Sequence, residues 1–188
     1  DLVIVPDGGN EKGNFIEVAE KSICWIEFEF KGEQVHASTP NLGNNACRAA
    51  NEFSVSLDAA LHAAFPEEDK LFEPSCSTFE PTRRNANVPN VNTVPGREVF
   101  CFDCRTLPTI PQEEVLKVIE AEIKKITENR KVEVTYRFVQ KEQAPAPTSP
   151  DAPIVGLLRD ALVQVLPTEP VVGGVGGGTC AAFFRRAG

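Results

Sequence analysis

From residue 24 to residue 31 apolar and polar side chains alternate without a break. Cys24, Ile26, Phe28 and Phe30 fall on one face, and Trp25, Glu27, Glu29 and Lys31 on the other. A period of two belongs to a strand with one face buried and the other turned to solvent. The alternation returns in residues 97–105, where Phe100, Phe102 and Cys104 oppose Val99, Cys101, Asp103 and Arg105, and again in Val132, Val134, Tyr136 and Phe138. Between these stretches the period becomes helical. Ala46, Ala49, Ala50, Phe53, Leu57, Ala60, Leu61 and Ala64 keep helix spacing until Pro66, and Val115, Leu116, Ile119, Ile123 and Ile126 form a second stripe. For the second helix Thr109 is the expected cap and Pro111 suits the first turn. With a further strand over residues 76–82, the order is β-α-β-β-α-β. Four strands and two helices in that order predict a ferredoxin-like α+β sandwich, helices on one face of an antiparallel sheet and the other face, Arg105 included, left open.

The flanks have a different character. Residues 2–5, Leu-Val-Ile-Val, are a short apolar run that reads as a parallel strand covered on both faces, ending in the turn Pro6-Asp7-Gly8-Gly9. Asp7 would then stand at the carboxyl end of a strand, where open α/β sheets collect ligands. A proline-rich segment over residues 144–153 marks a domain crossing. Beyond it Ile154, Leu157, Leu158, Leu162 and Val165 outline a third amphipathic helix, and Val171-Val172 begins a strand that runs into Gly-Gly-Val-Gly-Gly-Gly-Thr. Glycines followed by Thr179 at a helix start leave backbone N–H groups free for a carboxylate or phosphate. The expected division is a fragment of one α/β domain at residues 1–21, the ferredoxin-like unit at 22–140, and the rest of the α/β domain at 141–188.

A net charge of -8 disfavours nucleic acid, whose phosphates call for a basic face. No apolar run approaches the roughly 20 residues that span a bilayer, and the beginning of the chain has no signal-peptide pattern. Cytoplasm is the expected location. The six cysteines sit mostly in strand or helix patterns and read as reduced core residues. Cys101 and Cys104 lie on opposite faces of one strand and so cannot share a zinc ion. The absence of methionine and the opening at Asp1 suggest a piece of a longer protein.

One of only two histidines, His36, lies in the turn-rich stretch at residues 32–46 between a strand and a helix. A group that can donate, accept, bind metal or change charge near neutral pH is usually displayed from such a loop. His62 falls off the apolar stripe of its helix and reads as a surface residue. Gly-x-x-x-His-x-Ser-x-Pro followed by Gly-x-Asn-Ala resembles the lid signature of the di-zinc aminoacylase and carboxypeptidase family, which includes acetylornithine deacetylase and succinyl-diaminopimelate desuccinylase. The order of features along nearly the whole chain is similar too.

The resemblance implies an inserted lid and dimerisation domain flanked by parts of a zinc-binding catalytic domain. It implies that Asp7 is a carboxylate ligand to one of two zinc ions, with cobalt or manganese as substitutes. It implies that His36 reaches into a partner subunit's site and donates to a tetrahedral oxyanion. Asn92 and Arg105 match lid residues that hold substrate, and Gly178 and Thr179 match the turn that takes its carboxylate. The remaining ligands of that family would lie outside this chain, so the chain alone is expected to be inactive. Cys180 departs from the aspartate that many relatives carry after the threonine. The implied protein is a homodimeric zinc amidohydrolase acting on a small N-acyl amino acid, of desuccinylase or deacetylase type. A metallo-dipeptidase or carboxypeptidase acting on a short peptide, or a non-catalytic dimerisation or ligand-binding module, remain the alternatives.

Overall fold

The structure, a computed structural model, describes residues 2–188. Its centre is β2 (Ser22–Lys31), preceded by β1 (Phe15–Glu20) and followed by the short β3 (Val35–His36). Then come α1 (Ala46–Ala64), β4 (Thr78–Arg84), β5 (Thr93–Val94), β6 (Arg97–Thr106), α2 (Gln112–Arg130) and β7 (Glu133–Glu142). The chain closes with α3 (Pro153–Val165), β8 (Val171–Val175) and α4 (Ala181–Ala187).

Four strands form one antiparallel sheet in the order β4-β6-β2-β7, the ferredoxin-like arrangement that the alternations predict. Its inner face carries Phe28, Phe30, Phe79, Phe100 and Phe102, all essentially inaccessible, against Phe53, Leu57 and Leu61 of α1 and Val115 and Ile119 of α2. Phe28 and Phe53 meet edge to face with centroids 5.0 Å apart. Burying aromatic rings of this size contributes roughly 2–3 kcal/mol each before ordering costs. That layer is the main source of stability.

A second, smaller layer is separate from this sheet. β1 and β8 pair in parallel, Phe15 against Val171 through Glu20 against Val175, and α3 packs on them through Ile154, Val155, Leu158 and Leu162. The structure corrects several sequence expectations here. Residues 2–5 form no strand, and Leu2, Val3 and Ile4 are exposed, so Asp7 does not end one. The parallel strand is β1, whose Glu17 and Glu20 broke the apolar pattern. On α3 the exposed Leu157 and Val165 lie outside the packed face, because β1 lies against the side that carries Val155. At α2, Pro111 occupies the cap position without any side-chain cap bond, so Thr109 does not cap the helix. The buried Gln112 instead bonds the Ile23 and Glu142 carbonyls at 2.8 and 2.7 Å. All six cysteines are free thiols; Cys24, Cys101 and Cys104 are buried and Cys180 is exposed. Among the described residues no helix is long and apolar enough to cross a membrane.

Candidate functional site

His36 is displayed by a loop that is tied down at both ends. Gly32 N donates to Gly96 O at 2.8 Å, and Glu33 and Asn44 exchange two backbone bonds at 2.8 and 2.9 Å. Asn44 also donates its amide to the carbonyls of Arg130 and Lys131 at the end of α2, both at 2.9 Å. Asn45 then caps α1 by accepting from Arg48 N–H at 2.9 Å. Across the loop, β3 pairs with β5 so that His36 opposes Thr93, and Ala37 N donates to Asn92 O. This pairing brings two of the residues expected from sequence together. The Asn92 amide lies 3.3 Å from His36 Nε2.

The other ring nitrogen has its role set locally. The backbone N–H of Ser38 points at Nδ1 from 3.2 Å, with the Ser38 hydroxyl 2.7 Å away. A backbone N–H can only donate, so Nδ1 accepts, and the neutral imidazole carries its proton on Nε2; the Asn92 NH2 group, itself a donor, is then a neighbour of Nε2 and not its hydrogen-bond partner. His36 is exposed and presents an N–H donor outward.

The second group of expected residues gathers at the other end of the sheet. Arg105 donates from Nη1 to Gly176 O at 2.9 Å, which brings it against the Gly176–Thr179 turn between β8 and α4. Gly178 lies nearby, where an added Cβ would stand 3.6 Å from Ile23 Cδ1. The Thr179 hydroxyl lies 3.1 Å from Glu17 Oε1 and 2.5 Å from Glu20 Oε1. Both carboxylates are also held by Arg185, at 3.1 and 2.8 Å. Burial pushes the Glu17 carboxyl above its ordinary value, with Arg185 opposing the shift. Asp7 adjoins this end: its Oδ2 accepts from Cys180 N–H at 2.9 Å, and that bond holds its carboxyl below the ordinary value. The Cys180 thiol beside it is pushed up by the same carboxylate.

The two groups do not meet within one chain. His36 and Asn92 lie beyond the Arg97 end of β6, and Arg105 lies at the opposite end. β6 is 10 residues long, about 30 Å at roughly 3.3 Å per residue. Nor does the chain assemble a metal centre. Among the described residues no three His, Cys, Asp or Glu side chains converge as ligands. Asp7 can offer a cation its Oδ1, one ligand where a stable site needs several.

Sequence reasoning did not single out Ser38, Asp103, Glu17, Glu20 or Arg185. The Asp-x-Arg spacing on β6 carried a signal for Asp103, since residues two apart on a strand share a face. Nothing local marked Glu17 and Glu20 as partners of Arg185, which lies more than 160 positions away.

Residues 18–131, more than half of the chain, match the model of the peptidase dimerisation domain. An uncharacterised metallohydrolase of Methanocaldococcus jannaschii is 42% identical across the whole chain, which covers 48% of that relative. The chain belongs to this metallohydrolase family. A second uncharacterised metallohydrolase, from Methanococcus maripaludis, is 40% identical over the same share. Acetylornithine deacetylase of Myxococcus xanthus is 26% identical over 76% of the chain and 38% of its own length. Among solved structures, the aminopeptidase PepT of Bacillus cereus superposes with a TM-score of 0.67 at 17% identity, over 96% of this chain and 45% of that one. AtUAH in complex with glyoxylate reaches 0.72 at 17% identity, over 92% of this chain and 38% of that one. These structural likenesses concern the fold. The family match covers the ferredoxin-like unit, and the chain spans about half the length of the curated relatives it matches.

Proposed function

We propose that this chain is the lid and adjoining part of a zinc-dependent amidohydrolase that cleaves an N-acyl amino acid, of desuccinylase or deacetylase type, and that works as a homodimer. The observation that carries this reading is the separation of two complementary groups on one rigid sheet. One end presents an outward N–H donor, His36 Nε2, with the Asn92 NH2 group as a second donor 3.3 Å away. The other presents a guanidinium beside a glycine-rich turn, with Asp7 adjoining. Amide hydrolysis needs a preorganised donor where negative charge develops on the carbonyl oxygen, and a cationic anchor for the substrate's carboxylate. One chain holds these parts about 30 Å apart along a ten-residue strand, which supports a second copy as the source of the histidine. Arg105, Gly178 and Thr179 would take the carboxylate of the amino acid, and Asn92 would steady the acyl carbonyl beside His36. Asp7 would give one ligand to a zinc pair, or to cobalt or manganese in its place, completed by residues outside this chain.

The test uses the intact protein that contains this chain, assayed against N-acyl amino acids with metal analysis alongside. His36→Ala should lower kcat by roughly 10²–10³ and leave the metal content unchanged, as expected for a lost transition-state hydrogen bond. Asp7→Ala should lose metal and activity together. Loss of metal from His36→Ala in proportion to activity would make the histidine a ligand and overturn its role as donor.

A further inference from the structure

Arg105 lies on the open face of the sheet over the ring of Trp25, with 5.2 Å from the guanidinium carbon to the ring centroid. Trp25 is the direct cross-strand partner of Asp103, and Asp103 shares the strand face of Arg105. The Asp103 carboxylate takes the side of the guanidinium, with Nε donating to Oδ1 at 2.6 Å and Nη2 to Oδ2 at 3.0 Å. A third bond runs from Nη1 to Gly176 O. A guanidinium has five N–H groups, so one on each Nη remains. A side chain at position 177 would begin 3.6 Å from Nη1, and the glycine there keeps that edge clear.

A carboxylate beside the anchor has two opposed effects. It cancels part of the positive charge that attracts a substrate anion, and it fixes the plane and rotation of a long, flexible side chain. With the ring below, the paired oxygens at the side and the turn carbonyl beyond, the geometry favours the second. We propose that Asp103, with Trp25 beneath the guanidinium, is a positioning residue: it holds Arg105 so that its Nη edge faces the Gly176–Thr179 turn and receives the carboxylate of an amino-acid substrate. This rests on the substrate-binding role assigned to Arg105 above.

The two effects predict opposite signs. In the intact protein, Asp103→Asn should raise the KM of an N-acetyl amino acid by about tenfold, since a displaced anchor misplaces the substrate, while kcat stays within about twofold. The matching carboxamide substrate, which gives Arg105 no anion to bind, should show no change. Asp103→Glu keeps the charge but moves it by one methylene, and should show the same selective loss; it also serves if the asparagine variant does not fold. Tighter binding of the carboxylate substrate, no change with either variant, or equal losses for carboxylate and carboxamide would each overturn the proposal. The clamp is read separately by hydrogen exchange at Arg105 Nε–H, slow in the wild type and faster in Asp103→Asn. Equal exchange rates would overturn it even where carboxylate binding is found. A wild-type protein that neither binds nor turns over any amino-acid carboxylate would instead overturn the functional reading, whatever the exchange rates.

Discussion

Mixing two impaired variants of the intact protein, assayed with substrate well below KM, tests whether one active site draws on two copies of this chain. One parent carries His36→Ala and the other Arg105→Ala. His36 lies beyond the Arg97 end of β6 and Arg105 near its other end, a ten-residue strand about 30 Å long, with a close-packed aromatic layer beneath it. In a mixed dimer, one site combines an intact Arg105 with an intact His36 from the partner, and the other site carries both lesions. Random reassortment of equal amounts makes half of the dimers mixed, so recovered activity should be about a quarter of wild type. The assay is hydrolysis of the best N-acyl amino acid after the two variants are co-dissociated and reassembled, with each variant alone as the baseline. Activity no higher than those baselines, with mixed dimers shown by mass spectrometry, would refute the reasoning. Both residues would then serve one site from the same chain, or neither would serve it.

Arg185→Ala removes the cation shared by the half-buried Glu17 and the buried Glu20, and leaves Glu20, only 2% exposed, with the Thr179 hydroxyl but no counter-charge. The intact protein should lose roughly 3–5 kcal/mol by urea unfolding, and a loss below about 1 kcal/mol would show that the network is not stabilising. The Cys180 N–H lowers the folded carboxyl of Asp7 below its unfolded value. Its contribution is therefore complete above the unfolded value and fades as the pH falls through the folded one. A carboxyl NMR titration should place Asp7 below an ordinary aspartate, and Cys180→Pro, which lacks the N–H, should return it toward that value. An unchanged titration in that variant would refute the cause.

Local periodicity determined the lid. Phe28, Phe30, Phe100 and Phe102 alternate because a strand with one buried face must, and α1 ends close to Pro66 because proline cannot continue a helix. The loop position of His36, ahead of the first helix, was legible as well. The tertiary structure decided what depended on partners far along the chain. The apolar residues 2–5 read as a strand, yet a strand needs a ladder, and β8 pairs with the more polar β1 instead. The acids that spoil the pattern of β1 are tolerated there because Arg185 and Thr179 fold back onto them. The pairing of His36 with Asn92, and of Arg105 with Asp103, Trp25 and Gly176, likewise depends on strand register and on a turn about 70 residues away. A repeat of two or 3.6 residues is written into neighbouring positions by the geometry of the backbone. Which distant segment supplies the missing charge or hydrogen bond is settled only when packing brings the two together.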